Sequence, residues 1–205
     1  MPIILLIRHG ENDYVKKNRL AGRLSGVHLN PHGQEQARAL AEKLASLPIK
    51  AIYSSPLERA METAVPTAQA FGLEVQQRDG LIEVDFGDWQ DQRLKALSRT
   101  KLWKVVQSFP SRMRFPGGEM FADAQHRICR EIEAIAGQYE PKDMVVCVTH
   151  SDPIKLAIAY FIGLPLDMFQ RLSVAPASIS ALYLGEGESR LLSLNNEIST
   201  STPKT

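Results

Sequence analysis

The run Ile3-Ile4-Leu5-Leu6-Ile7-Arg8-His9-Gly10-Glu11 decides how the chain reads. Its aliphatic residues leave no polar face, and a strand of that kind is covered on both sides, as parallel sheets require. The run then breaks into a guanidinium, an imidazole and a glycine, so charged chemistry emerges at a strand end. Ala51 to Tyr53 and Met144 to Thr149 look similar, and the second of these ends at His150.

Helical patterns lie between these runs. After Asn30-Pro31, residues Ala37, Leu40, Ala41 and Leu44 recur at i, i+3, i+4 and i+7, which buries one helix face. Ser55-Pro56-Leu57-Glu58 predicts a second helix, with Ser55 as N-cap, Pro56 at the first helical position, Glu58 closing a capping box and Pro66 kinking or ending it. Phe121, Ala124, Ile128, Ile132 and Ile135 mark a long amphipathic helix stopped by Gly137 and Pro141. Ser151 caps another from Asp152 to Ile162, apolar on nearly all sides and ended by Gly163 and Pro165. Strands around Ser178 to Leu184 and Arg190 to Leu194 follow, joined by Gly185-Glu186-Gly187. The alternation implies β-α-β units and a three-layer α/β/α sandwich with a mostly parallel central sheet. We expect a single domain over 1–197 and a polar, flexible tail over 198–205. The apolar strands after Ser178 would permit a homodimer.

Composition narrows the classes. The 205 residues suit one domain, and 44% hydrophobic with 23% charged residues argues against disordered, collagen-like and coiled-coil chains. Lys plus Arg number 24 against 23 Asp plus Glu, without the basic excess of a nucleic-acid binder. Cys129 and Cys147 form no C-x-x-C pair and read as reduced core thiols. Pro2 to Ile7 is shorter than a signal-peptide core of ~7–15 residues, and no run approaches the ~18 apolar residues of a membrane span. The expectation is a cytoplasmic protein with no membrane partner.

The stretch Gln92 to Gly118 breaks the rhythm: it lacks Asp and Glu but carries Arg93, Lys95, Arg99, Lys101, Lys104, Arg112 and Arg114. It reads as a short basic lid, and with Trp103 among its cations it is where substrate specificity would be sought. A solvated helix face explains the same charges equally well.

Doubly wound sheets bind ligands at the carboxyl ends of their strands. Arg8 and His9 leave the first strand there, and His150 leaves the Met144 strand in the same fashion; if the strands are neighbours, both histidines face one crevice. Either histidine alone is as well explained by a loop or buried position. Arg59 falls in the first turn of its helix, where the macrodipole disfavours a cation by ~0.3–1 kcal/mol. A bound anion would reverse that cost; the plainer account pairs Arg59 with Glu58 or Glu62. Gly10 would let backbone approach a ligand. His28 and His32 straddle Asn30-Pro31 without cysteine or carboxylate partners, so no metal site is expected, and no glycine-rich nucleotide fingerprint is present. No cofactor is predicted.

Taken together, these residues resemble the histidine phosphatase superfamily in its phosphoglycerate mutase-like branch. The likeness rests on Arg8-His9-Gly10-Glu11, Ser54-Ser55-Pro56-Leu57-Glu58-Arg59-Ala60 with Thr63-Ala64, Glu83-Val84-Asp85-Phe86-Gly87-Asp88-Trp89, Phe115-Pro116-Gly117-Gly118-Glu119 and His150, in the family's order. It implies a metal-independent phosphomonoesterase acting on a small phosphorylated metabolite, with His9 as nucleophile, Arg8, Arg59 and His150 around the phosphoryl group, and Glu83 as proton donor. Asp85 and Glu11 are weaker candidates for that last role. The resemblance also carries Gly22 over as a backbone contact to phosphate. A phosphoglycerate mutase would share every catalytic residue, and a non-catalytic phospho-ligand-binding module is a third reading. Asn12 stands where most members carry Thr or Ser, and Val15 where many carry a phosphate-touching Asn, which implies a lost hydrogen bond. Asp91 and Ser151 replace common glycines.

Overall fold

Along the first strand, Ile4 and Leu6 point to one face and Leu5 and Ile7 to the other, and all four are buried. That requires helices on both sides. A computed structural model describes residues 2–198 and supplies them. The strands are β1 (Ile3–Arg8), β2 (Ile49–Ser54), β3 (Val75–Gln77), β4 (Met144–Thr149), β5 (Ile179–Leu184) and β6 (Ser189–Asn196). The helices are α1 (Asp13–Lys16), α2 (Pro31–Leu44), α3 (Glu58–Phe71), α4 (Leu94–Leu97), α5 (Lys101–Ser108), α6 (Phe121–Ala136) and α7 (Ser151–Phe161). Leu5, Ile7, Ile52, Val146 and Val148 pack on Leu40 and Leu44 of α2 and on Ala60, Ala64 and Ala68 of α3. On the other face Ile4, Leu6, Tyr53, Val145 and Cys147 meet the apolar sides of α6 and α7. The result is a three-layer α/β/α sandwich.

Strand order is β3-β2-β4-β1-β5-β6. The pairs β3/β2, β2/β4 and β4/β1 are parallel, whereas β5 runs antiparallel to both β1 and β6. Thus β5 alone opposes the common direction. The central pairing aligns Arg8 with Thr149, so the ends of β1 and β4 lie side by side. Because β5 is interior, the open edge on this side belongs to β6 alone, where Leu192 is 52% exposed.

Several sequence expectations change at helix starts. Helix α3 begins at Glu58, capped by the Leu57 backbone without a side-chain bond, so Ser55 is not its N-cap and Glu58 closes no capping box. The Ser55 hydroxyl is taken by His150 instead, and Glu58 accepts from the Gly26 amide at 2.9 Å. The helix also runs through Pro66 to Phe71, because its small-residue face is packed on both sides of the proline. In α7 the cap is His150, with Ser151 already helical. Both cysteines are free and buried, as expected, and burial pushes the Cys129 thiol up to about 12. Among the described residues no helix is long and apolar enough to cross a membrane. Most of the expected tail, 199–205, lies outside the described residues.

Candidate active site

The ends of β1, β4 and β2 form one rim. The sheet ladder continues past them: the His9 amide donates to the Thr149 carbonyl at 2.9 Å, and the Ser55 amide to Val148 at 2.9 Å. Both histidines are thereby fixed through backbone, and their rings lie 5.2 Å apart, tilted by 60°. The two strands are therefore neighbours and the histidines meet, but of the two only His9 lines the cavity beside them.

His9 Nδ1 lies 2.7 Å from the Gly10 carbonyl, which can only accept. The ring proton therefore sits on Nδ1 and the Nε2 lone pair is free. Burial, then the charges of Arg59 and Arg8, holds the imidazole well below its ordinary value of 6.5, which keeps it neutral. His150 Nε2 lies 2.8 Å from the Ser55 hydroxyl. That hydroxyl also accepts from the Leu57 amide at 3.4 Å and has no other acceptor for its own hydrogen among the described residues, so we assign its hydrogen to Nε2 and the His150 proton to Nδ1. His150 is fully buried against His9.

Arg59 is 1% exposed and pairs with neither nearby glutamate: Nη2 donates to the Gly22 carbonyl at 2.7 Å, while Glu62 holds the Leu29 amide and His28. Arg8 Nη1 donates to the Val174 carbonyl at 2.7 Å. Burial lowers both guanidinium values, although arginine stays cationic in proteins. Of the buried donor atoms without a hydrogen-bond partner among the described residues, four belong to Arg8, Arg59 and His150: Arg8 Nε, Arg59 Nε, Arg59 Nη1 and His150 Nδ1. Unmet buried donors each cost ~1–3 kcal/mol, and a set of them beside a neutral imidazole is a receptor for an anion.

Glu83 is buried, and one carboxylate oxygen accepts from the Val84 amide at 2.8 Å. Its carboxyl is pushed up to about 7, first by burial and then by the charge of Asp152; Arg59, the Val84 amide and Arg8 oppose this. Burial therefore wins a balance the sequence left open. The backbone beneath it is pinned. Arg23 Nε donates to the Glu83 carbonyl at 2.8 Å, and Arg127 Nη1 to the Gly80 and Ile82 carbonyls at 2.9 and 2.8 Å. Glu119 joins both arginines, accepting from Arg23 at 2.9 Å, from Arg127 at 2.8 Å and from the Asp85 amide at 2.9 Å.

Arg8, His9, Arg59, Glu83 and Gly22 line a cavity of about 400 Å³. Gly22 has φ +55°, and a Cβ there would meet the Gln90 side chain at 2.5 Å. Its carbonyl holds Arg59. Three readings need correction. Gly10 serves a close approach to the Gly33 backbone of α2, where a Cβ would lie 2.7 Å from the carbonyl oxygen, and not an approach to a ligand. Glu11 turns away to Asn30, and Asp85 caps the Gly87 amide, so neither lines the cavity. The seven cations of 92–118 are all exposed and none lines the cavity; Leu94, Trp103, Val106, Gln107 and Phe115 of this stretch do so instead. A helix with one apolar face puts its lysines outward when that face has a wall to cover.

Sequence reasoning missed Asp152, legible there only as the start of a helix, which lines the cavity with its carboxylate 2.6 Å from Lys155. It also missed Arg23 and Arg127, for which no local signal exists; Glu119 lay within a quoted block but without a role. Asn12, expected to cost a hydrogen bond, is fully buried and lines the cavity. Asp91 shows why glycine is common there: its φ is +64°.

The family model described as histidine phosphatase superfamily (branch 1) matches residues 4–197. Phosphoserine phosphatase 1 of Hydrogenobacter thermophilus is 30% identical over 198 residues, covering 94% of this chain and 91% of the relative. The 2,3-bisphosphoglycerate-dependent phosphoglycerate mutase of Thermoplasma acidophilum is 31% identical over 195 residues, covering 95% and 92%. Among solved structures, a mycobacterial glucosyl-3-phosphoglycerate phosphatase in complex with VO3 superposes with a TM-score of 0.87 at 27% identity, covering 95% of this chain and 99% of that one.

Proposed function

The chain belongs to the histidine phosphatase superfamily (branch 1), and from that premise we propose that it is a metal-independent phosphomonoesterase acting on a small phosphorylated metabolite through a phosphohistidine at His9. The observation that carries this reading is the set of four unpartnered buried donors on Arg8, Arg59 and His150 beside an imidazole held neutral with its Nε2 lone pair free. In the first step Nε2 forms the bond to phosphorus, the bond from phosphorus to the ester oxygen breaks, and Glu83 gives its proton to the departing alkoxide. The phosphorylated ring keeps its Nδ1 proton, and the Gly10 carbonyl supports the positive charge that results. In the second step the Glu83 carboxylate takes a proton from water, the water oxygen bonds to phosphorus, and the N–P electron pair returns to Nε2. Arg8, Arg59 and His150 stabilise charge on the non-bridging oxygens throughout.

The same residues would serve a phosphoglycerate mutase, and the Thermoplasma relative favours that alternative. A mutase, however, must hold a second charged group outside the phosphate pocket, and the cations of 92–118 face solvent. The test measures phosphate release from an aryl phosphate in EDTA by the native protein and His9→Ala, alongside interconversion of 3- and 2-phosphoglycerate. Release that survives EDTA and vanishes in His9→Ala is expected. Interconversion with little release would replace the phosphatase by the mutase; silence in both assays alongside reversible phosphate binding would leave a binding module.

A further inference from the structure

Resting on the phosphomonoesterase reading, we propose that the site selects esters whose alcohol part is aromatic or otherwise apolar and carries no second anionic group. The same cavity that Arg8, His9 and Arg59 line carries an aromatic shelf. Trp103 of α5 stacks on Trp89 with ring centres 6.2 Å apart and planes 20° from parallel. Phe115 closes on Trp89 edge to face at 5.3 Å, and Leu94 and Val106 fill the margin. Burying a ring against such a wall is favourable in proportion to the apolar area covered.

The charges around that wall point the same way. Among the described residues, beyond Arg8 and Arg59, the one cationic side chain lining the cavity is Arg19; its Nη2 is held by both the carboxylate and the carbonyl of Asp91 at 2.5 and 2.7 Å, so its charge is offset, while its Nε stays buried without a partner. Lys155 is likewise spent on Asp152 at 2.6 Å and Gln170 at 2.8 Å. A substrate carboxylate or second phosphate would lose water here and meet only cations whose charge a carboxylate already offsets, with one spare Arg19 N–H in return. An uncharged apolar alcohol avoids that cost.

The experiment compares kcat/KM for four esters with unactivated alcohol leaving groups: 2-phenylethyl phosphate, ethyl phosphate, O-phosphoserine and 3-phosphoglycerate. The phenylethyl ester is expected to exceed each of the others by about 10-fold or more, the scale of discrimination by an apolar pocket. Trp103→Ala should bring the phenylethyl-to-ethyl ratio below about 3, and Trp103→Phe should largely keep it. Phosphoserine or phosphoglycerate turned over as well as the phenylethyl ester, or a ratio indifferent to Trp103→Ala, would overturn the inference. Loss of His9-dependent release from all four esters would instead sink the phosphomonoesterase reading and this inference with it.

Independently, we infer that the Asn12 carboxamide is a further donor to the phosphoryl group. Its Oδ1 caps α1 by accepting from the Val15 amide at 2.9 Å, which fixes the side chain in one orientation. Its Nδ2 is then left buried on the cavity wall with no partner among the described residues. Asn12→Ser keeps a capping oxygen and removes the carboxamide donor without adding charge. Its inhibition constant for inorganic phosphate is expected to rise at least about 10-fold while the melting temperature holds. A change below about twofold would refute the assignment, and Asn12→Ala, which loses cap and donor together, should weaken phosphate binding and lower the melting temperature.

Discussion

At the strand-end side of the cavity each group proposed to hold the phosphate is placed by the end of a parallel strand or the first turn of the helix that follows, and Arg8, Arg59 and His150 carry buried donors without a partner among the described residues. On the other side the wall comes in part from the 92–118 insertion, whose cavity face is apolar but for Gln107 and whose charges are turned to solvent. The strand-end side is rigid because strand pairing, continued through the His9 and Ser55 amides, fixes it. The other side rests on short helices packed by aromatic contacts. The proposed division is that charge does chemistry where backbone ladders hold it and ring surface selects the substrate where the chain is least constrained by the sheet.

Variants on the two sides should differ by orders of magnitude. Arg59→Lys sharpens the contrast most: a point charge cannot hold the Gly22 carbonyl and offer Nε and Nη1 together, so kcat should fall by about 10²–10³ with folding intact by circular dichroism. Glu83→Gln should cost about 10²-fold on alkyl phosphates and less on aryl phosphates, whose leaving oxygen needs less help. The pH profile carries the sign. With the Glu83 carboxyl at about 7, native kcat/KM should decline above that pH, and Glu83→Gln should lose this arm. The native fold holds a proton between the ordinary 4.5 and about 7 that the unfolded chain releases, so wild-type stability falls as pH rises through that window. Glu83→Gln removes the liability and should raise the melting temperature more at pH 8 than at pH 5. Ser55→Ala frees His150 Nε2 and should cost about 10-fold in kcat through a misassigned ring proton. Lys101→Ala and Lys104→Ala should leave kcat/KM within about twofold, because both side chains are exposed and off the cavity. A larger loss from either lysine would break the comparison.

What could be read from the sequence follows the same division. Apolar runs with no polar face forced the three-layer sheet, and Arg8, His9 and His150 followed from where those runs stop. Arg59 was legible because it opposed the helix dipole. Features set by tertiary choice were not. Ser55 met the rules for an N-cap, but a buried imidazole took its hydroxyl; Gly10 suited a ligand approach, but the close neighbour is Gly33. The direction of the 92–118 cations was unreadable, since an amphipathic helix fits a basic lid and a solvated face equally well. Arg127 reaches the Glu83 loop from α6 across more than 40 residues of chain, a distance no local pattern encodes.

The proposed phosphatase turns on one bond, that between phosphorus and His9 Nε2. The native protein, mixed with substrate and quenched in alkali within one turnover, should yield a single phosphorylated peptide containing His9, with the phosphoryl group on Nε2 and none on His150. Turnover by His9→Ala, or a native enzyme that releases phosphate while its His9 peptide stays unmodified, would contradict it.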